Sequence, residues 1–143
     1  MAGVYEKLQK LADAASLQTA AYNNCTMHLF SNNFNPVGNE TLLSFTETAF
    51  SGYANVTIAT WGAAFYDANG DAKTTSTAVE FTHNGGNTTD VAYGYYLVHG
   101  NSTILGAQRF DDAPIGFNGL GNSCVVVSEI TIGPTLECVE IHS

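Results

Sequence analysis

Basic residues are nearly missing from this sequence. Of 143 residues only four are Lys or Arg (Lys7, Lys10, Lys73 and Arg109), against 13 Asp and Glu, and the net charge is −9. Such a surface repels phosphate backbones and anionic lipid, which argues against nucleic-acid binding and membrane-surface attachment as main functions. Charge of either sign is scarce, at 12% of residues, about half the usual share. No apolar run is long enough for a membrane-spanning helix. The opening stretch MAGVYEKLQKLADAASLQ interleaves acids and bases, so no signal peptide is expected. Cysteines number three, Cys25, Cys124 and Cys138, with no CxxC pair. An odd count this low does not fit a secreted disulfide scaffold. Free buried thiols are the expectation, with a cross-strand Cys124–Cys138 pair as the alternative.

What is present is apolar and small-polar. Hydrophobic residues make up 45% of the chain, enough for a core, and the length suits one domain. Asn, Thr, Ser and Gly supply the polar surface. Five Asn-x-Ser/Thr triplets begin at Asn24, Asn39, Asn55, Asn87 and Asn101. With no secretory leader expected, composition accounts for them better than glycans do.

Periodicity divides the chain at about Tyr22. Within residues 3–21, Val4, Leu8, Leu11 and Ala15 form one stripe of a 3.6-residue period, which predicts a helix. Residues 1–22 are therefore read as an N-terminal helix or arm. Its stripe must dock on the β-domain or on another chain. Residues 23–143 change to period two. Strands are expected at 26–30, 54–67, 72–83, 90–100, 103–110, 123–132 and 136–141. Asn69-Gly70 signals a hairpin and Asn84–Asn87 a turn. Loops are expected at 32–40 and 109–122. Ser44 and Glu47 have capping-box spacing, which predicts one or two helical turns after Ser44. About seven short strands with little helix indicate an all-β domain, an antiparallel sandwich or jelly-roll-like barrel.

Chemical motifs are absent. No G-x-S-x-G elbow occurs. His28, His83, His99 and His142 show no paired-ligand spacing and are expected as strand or turn residues. Gly116–Asn122 is Gly-rich but leads into a strand, whereas a phosphate loop must lead into a helix. Asp67, Asn69 and Asp71 begin a calcium-loop spacing, but Ala72 and Ala78 stand where the glycine and the closing glutamate belong. No carboxylate pair is favoured by spacing for glycosidic chemistry. No catalytic residue, metal or cofactor is expected.

The stretch DVAYGYYLVHG (90–100) is the densest aromatic run. With Gly100-Asn101 as a two-residue turn, Tyr95 faces Gly106 and Tyr96 faces Leu105. Val91, Tyr93, Tyr95, Leu97, Ile104 and Phe110 then share one face, and Ala92, Tyr96, Val98, Leu105 and Ala107 the other. Both faces are apolar, so the strand is expected to be covered twice, by its own sheet partners or by a neighbouring subunit. A three-residue turn would shift this register. Only the end with Tyr93, Gln108 and Arg109 offers a ligand surface.

The order HLFSNN, FTETAFSGYANVTIATW, AYGYYLVHGNSTILGAQRF, a Gly/Asn loop and SEITIG resembles a group of small proteins encoded among tailed-phage virion genes. The similarity runs over residues 26–133. It departs at the Asn-rich loop 32–40 and the cysteine-bearing last strand. The resemblance implies a virion component assembled in the host cytoplasm and carries no catalytic residues. The expectation is a non-enzymatic structural protein, a head decoration (cement) protein bound to the major capsid protein and present as a homo-oligomer. The alternative is a tail-fibre or tail-tip module binding host glycans through Tyr93, Gln108, Arg109 and the loops at 32–40 and 113–122. A third class, a small β-sandwich hydrolase, has no nameable carboxylate. The expected interface residues are Val4, Leu8, Leu11, Ala15, Tyr93, Tyr95, Tyr96 and Arg109.

Overall fold

The alternation Val79-Glu80-Phe81-Thr82-His83 folds as written: Val79, Phe81 and His83 are buried while Glu80 and Thr82 face solvent. The same logic builds the whole domain. The computed structural model describes residues 24–63, 65–66, 72–100, 102–132 and 138–142. The helix expected over 3–21, with Val4, Leu8, Leu11 and Ala15, lies outside the described residues, as do Asp67, Asn69 and Asp71.

The protein is all-β and antiparallel, and no barrel closes among the described residues. Twelve strands form among the described residues: β1 (Cys25–Phe30), β2 (Val56–Ile58), β3 (Phe65–Tyr66), β4 (Ala72–Thr75), β5 (Val79–Thr82), β6 (Asp90–Ala92), β7 (Gly94–His99), β8 (Thr103–Arg109), β9 (Ile115–Phe117), β10 (Ser123–Val126), β11 (Ser128–Ile132) and β12 (Cys138–His142). The sheets run β2-β1-β7-β8, β12-β11-β4-β3, β10-β5 and β6-β9.

The count exceeds seven because long runs break at corners and enter two sheets. Residues 72–82 break at Ser76–Ala78, and the run from 123 to 132 breaks at Val127. The two breaks lie side by side. Ser76 N–H donates to Ser128 O (2.9 Å), and Ser128 N–H donates to Ser76 Oγ (2.9 Å). The aromatic run breaks at Tyr93, whose N–H donates to Phe30 O while its carbonyl accepts from Phe110 N–H. The run 54–67 breaks after Ile58, and the break brings Trp61 into the same core as Ile58 rather than onto the opposite face. Ile115–Phe117, expected as loop, pairs with Asp90–Ala92.

The hairpin register also differs from the two-residue turn. His99 faces Thr103 and Val98 faces Ile104, so the loop has three residues. A bulge then shifts the register at Leu105, between the pairs Val98–Ile104 and Leu97–Gly106, and Tyr95 faces Gln108. The bulge moves Leu105 to the side of Tyr95 and Leu97, and Ile104 to the side of Tyr96 and Val98. The break at Tyr93 likewise exchanges Tyr93 and Ala92 between faces.

Two cores result. The main one holds Met27, Leu29, Phe50, Ile58, Trp61, Phe81, Tyr95, Leu97, Phe110, Phe117 and their neighbours between the sheets. Phe50 and Phe117 stack at 4.1 Å within it. Its polar members are satisfied: Tyr95 Oη lies 3.1 Å from Ser128 Oγ, Thr48 Oγ1 donates to Val91 O and Thr74 Oγ1 to Gly62 O. Burying those groups without partners would cost about 1–3 kcal/mol each. The second core, Phe30, Phe45, Tyr96 and Val98, lies on the other face of β1 and β7, and the segment 31–46 covers it through Phe34 and Phe45. Gly94 permits this cover. A Cβ there would meet the Gln108 carbonyl oxygen and lie 2.6 Å from the Phe30 ring.

Candidate functional site

The second core and its covering segment concentrate the features that composition left unassigned. His28 and Tyr96 are cross-strand partners on β1 and β7. Their rings stack at 4.9 Å and 16°, and Tyr96 stacks on Phe45 at 4.2 Å and 10°. Phe30 and Phe34 flank Phe45, each 5.4 Å away. Burial and then Glu47 push the Tyr96 hydroxyl above its ordinary range. This layer is the underside of residues 31–46.

A polar chain runs along the edge of the layer. His28 Nδ1 lies 2.7 Å from Glu47 Oε2, so with an ionised carboxylate that nitrogen carries the proton. Nε2 lies 2.9 Å from Thr26 Oγ1, and Tyr53 Oη donates to Glu47 Oε2 (2.5 Å) while accepting Leu29 N–H (3.1 Å). Tyr53 is raised above the ordinary tyrosine range, first by burial and then by its bond to Glu47. Hydroxyl, imidazole and carboxylate in line is an order that activates nucleophiles. Here β1 pairs with β2 on one edge and with β7 on the other, and its amide groups alternate between the two ladders. The bonds brace residues 47–53 against β1. Glu47 and Tyr53, with Ser51 and Thr88, also line an open cleft of about 540 Å³.

His83 is likewise a brace. It is fully buried, Gly85 N–H donates to Nδ1 (2.9 Å), and Nε2 lies 3.0 Å from Thr88 O, which fixes the Nε2–H tautomer. No group of three or more His, Cys, Asp or Glu able to hold a metal occurs among the described residues. Cys25, buried, and Cys124, half-buried, are thiols rather than halves of a disulfide.

The sequence predicts a turn-rich loop over 32–40 and one or two helical turns starting at Ser44. Instead the turn precedes Ser44. A short 3-10 turn spans Leu42–Ser44, with Thr41 as its cap and Thr41 N–H donating to Ser44 Oγ (3.1 Å). Glu47, expected inside that helix, forms a bridge with Phe30. The loop is cross-linked throughout. Asn32 donates through Nδ2 to Ser44 O (2.9 Å) and accepts Thr46 N–H at Oδ1 (2.8 Å). Glu40 accepts the Val37 and Gly38 N–H groups at 2.7 and 3.1 Å. The tip is apolar and outward: Val37 is 79% exposed and Leu43 97%.

The expected interface residues separate. Tyr95 and Tyr96 are buried in this chain's own two cores. Tyr93 and Arg109 are half-buried at the root of the 31–46 loop. Arg109 Nη1 donates to Asn33 Oδ1 (2.6 Å) and toward Phe34 O (3.4 Å), and the guanidinium lies 5.0 Å from the Tyr93 ring centre. Tyr93, Arg109 and the 32–40 loop are thus brought together. The 113–122 loop is not: Asn122 and Gly121 bond to His83 instead.

No protein-family model, curated protein or solved structure matches this chain. The bracing role of His28, Glu47, Tyr53 and Asn32 was not legible in the sequence, because each pairs with a residue six to nineteen positions away. The period-two pattern on β1, with Cys25, Met27 and Leu29 inward, is the one local sign that His28 faces the other side.

Proposed function

We propose that this chain is a non-enzymatic structural protein of a phage virion, a head decoration protein that cements the shell. One observation carries the reading. His28, Glu47, Tyr53 and His83 are engaged in bracing the fold, while large apolar side chains stand on the surface: Val37, Leu42, Leu43, Phe65, Leu120 and Val125. Three of them, Val37, Leu42 and Leu43, fall on one short loop, and apolar side chains gathered on a surface mark an interaction site. The sequence resemblance to tailed-phage virion proteins supports the same reading. Such a protein would act on the major capsid protein and on copies of itself, burying surface across seams of the shell and raising the cost of separating its subunits. Mass spectrometry of purified particles tests this. The expected result is one copy, or a fixed small multiple, for each repeat of the shell lattice. Absence from particles overturns it, and a copy number matching a tail appendage moves the protein off the head.

A second reading, a tail-tip or tail-fibre glycan module, draws on the Arg109–Tyr93–Asn33 cluster. Arg109 already spends Nη1 on Asn33 and Phe34, and its face on Tyr93. The stacking surface a sugar would use is therefore partly occupied. Saturable binding on a glycan array, lost in Arg109→Ala, would favour this reading over the first.

A further inference from the structure

We propose that the tip of the 31–46 loop, Val37, Leu42 and Leu43, is the anchor by which this chain docks into an apolar pocket with a cationic rim on a different protein. The proposal rests on the structural-protein reading above and names its contact. Three observations converge on it.

The tip is apolar and exposed without being loose. Leu43 is 97% exposed, Val37 79% and Leu42 37%. Beneath them the chain is fastened by Glu40 to the Val37 and Gly38 amides, by Thr41 to Ser44, and by both ends of the Asn32 amide. Phe34 and Phe45 pack below against Phe30 and Tyr96. Exposed leucines on a floppy loop would lose on binding much of what they gain by burial. On a braced loop that ordering cost is already met in the free chain.

The root carries a second fastening. Arg109 ties β8 to Asn33 and Phe34, so the knob is fixed to the sheet at both its aromatic underside and its polar edge.

Charge selects the partner. The segment 31–50 contains no Lys or Arg. It carries Glu40 and Glu47, and Asp90 Oδ2 accepts the Ala49 N–H beside them. The whole chain bears −9. A second copy would bring −9 against −9, whereas a pocket rimmed by Lys and Arg gains from the same field.

The test uses the full chain and particle shells made without it, or stripped of it by mild denaturant. Wild type, the double variant Leu42→Ser with Leu43→Asp, and a control Leu120→Asp are titrated onto the shells. Leu120 is equally apolar and 80% exposed, but lies on the 118–122 turn. Thermal unfolding of each variant checks that it is folded. The proposal expects the double variant to bind about 30-fold more weakly or worse, the scale of a lost hot spot. It expects the control to bind like wild type, and wild-type binding to weaken as salt rises. Equal binding by the double variant and wild type overturns the anchor while leaving the virion reading standing. Salt-independent binding overturns the cationic rim. Wild type that self-associates through Leu42 and Leu43 puts a second copy in the pocket and overturns the heterologous partner. Wild type that fails to bind shells overturns both readings.

Discussion

Phe45→Ala is the sharpest probe of the second core. The ring is 8% exposed and stands at the centre of four others: it stacks on Tyr96 at 4.2 Å, with Phe30 and Phe34 at its edges and His28 beyond Tyr96. Truncating a core Phe to Ala costs about 3–5 kcal/mol, cavity included. Loss of the offset stack adds about 0.5–1.5 kcal/mol beyond area, partly counted already in that range. The prediction is a loss of about 4 kcal/mol, a large share of the roughly 5–15 kcal/mol of an ordinary domain. Phe45 also holds the 31–46 loop, so the loss has a local signature. The Thr46 N–H, bonded to Asn32 Oδ1, and the Phe45 N–H, bonded to Leu42 O, should exchange faster than the β1–β7 ladder amides. Urea unfolding with hydrogen-exchange mass spectrometry reads both. A change below about 1 kcal/mol, with protection of residues 44–46 retained, would refute the claim that this layer carries the loop. Leu43→Ala is the internal comparison. Its side chain is almost fully exposed, and its effect on stability should stay within about 0.5 kcal/mol.

Gly94→Ala should be among the most damaging conservative changes, because the new methyl meets the Gln108 carbonyl and the Phe30 ring. The expected cost is about 3 kcal/mol or more by urea titration, and a neutral result would mean that β7 and β8 are less closely apposed. Tyr95→Phe leaves the buried Ser128 hydroxyl without its partner, at a cost of about 1–2 kcal/mol readable in the same titration. Burial, then Asp112, pushes the Cys124 thiol up to about 12. The folded state therefore favours the neutral thiol. That contribution is complete below the ordinary thiol value of 9.0 and is lost as pH rises from there toward 12. Tyr53 and Tyr96, also raised, act in the same direction. Stability should fall on the alkaline side, and iodoacetamide should label Cys124 far more slowly at pH 8 in the native protein than in denaturant. Rapid native labelling would contradict this.

The all-β architecture was legible because period-two runs such as Val79–His83 and Cys25–Leu29 write burial directly into the chain. That the aromatic run is covered on both faces was legible too: Gly94 through Val98 are all buried. The register was not. Gly100-Asn101 read locally as a two-residue turn, but a three-residue loop and the bulge at Leu105 re-aim Ile104 and Leu105. Nothing local announces such a bulge, which is set by packing on both faces. The corners at Ser76, Tyr93 and Val127 were missed for a related reason. A strand that changes sheets keeps its propensity and alters only its partners. The loop at 32–40 read as turn residues because Asn and Gly dominate it. Its rigidity comes from Asn32, Glu40 and Phe45 reaching groups that spacing alone does not pair.

The most direct test of the proposed virion role is an electron cryomicroscopy map of tailed-phage particles made with and without this protein. The expected result is the β-domain on the outer shell, with residues 36–43 seated in an apolar pocket of a capsid subunit ringed by basic side chains. A shell without the domain, or the domain present with the loop pointing into solvent, would contradict it.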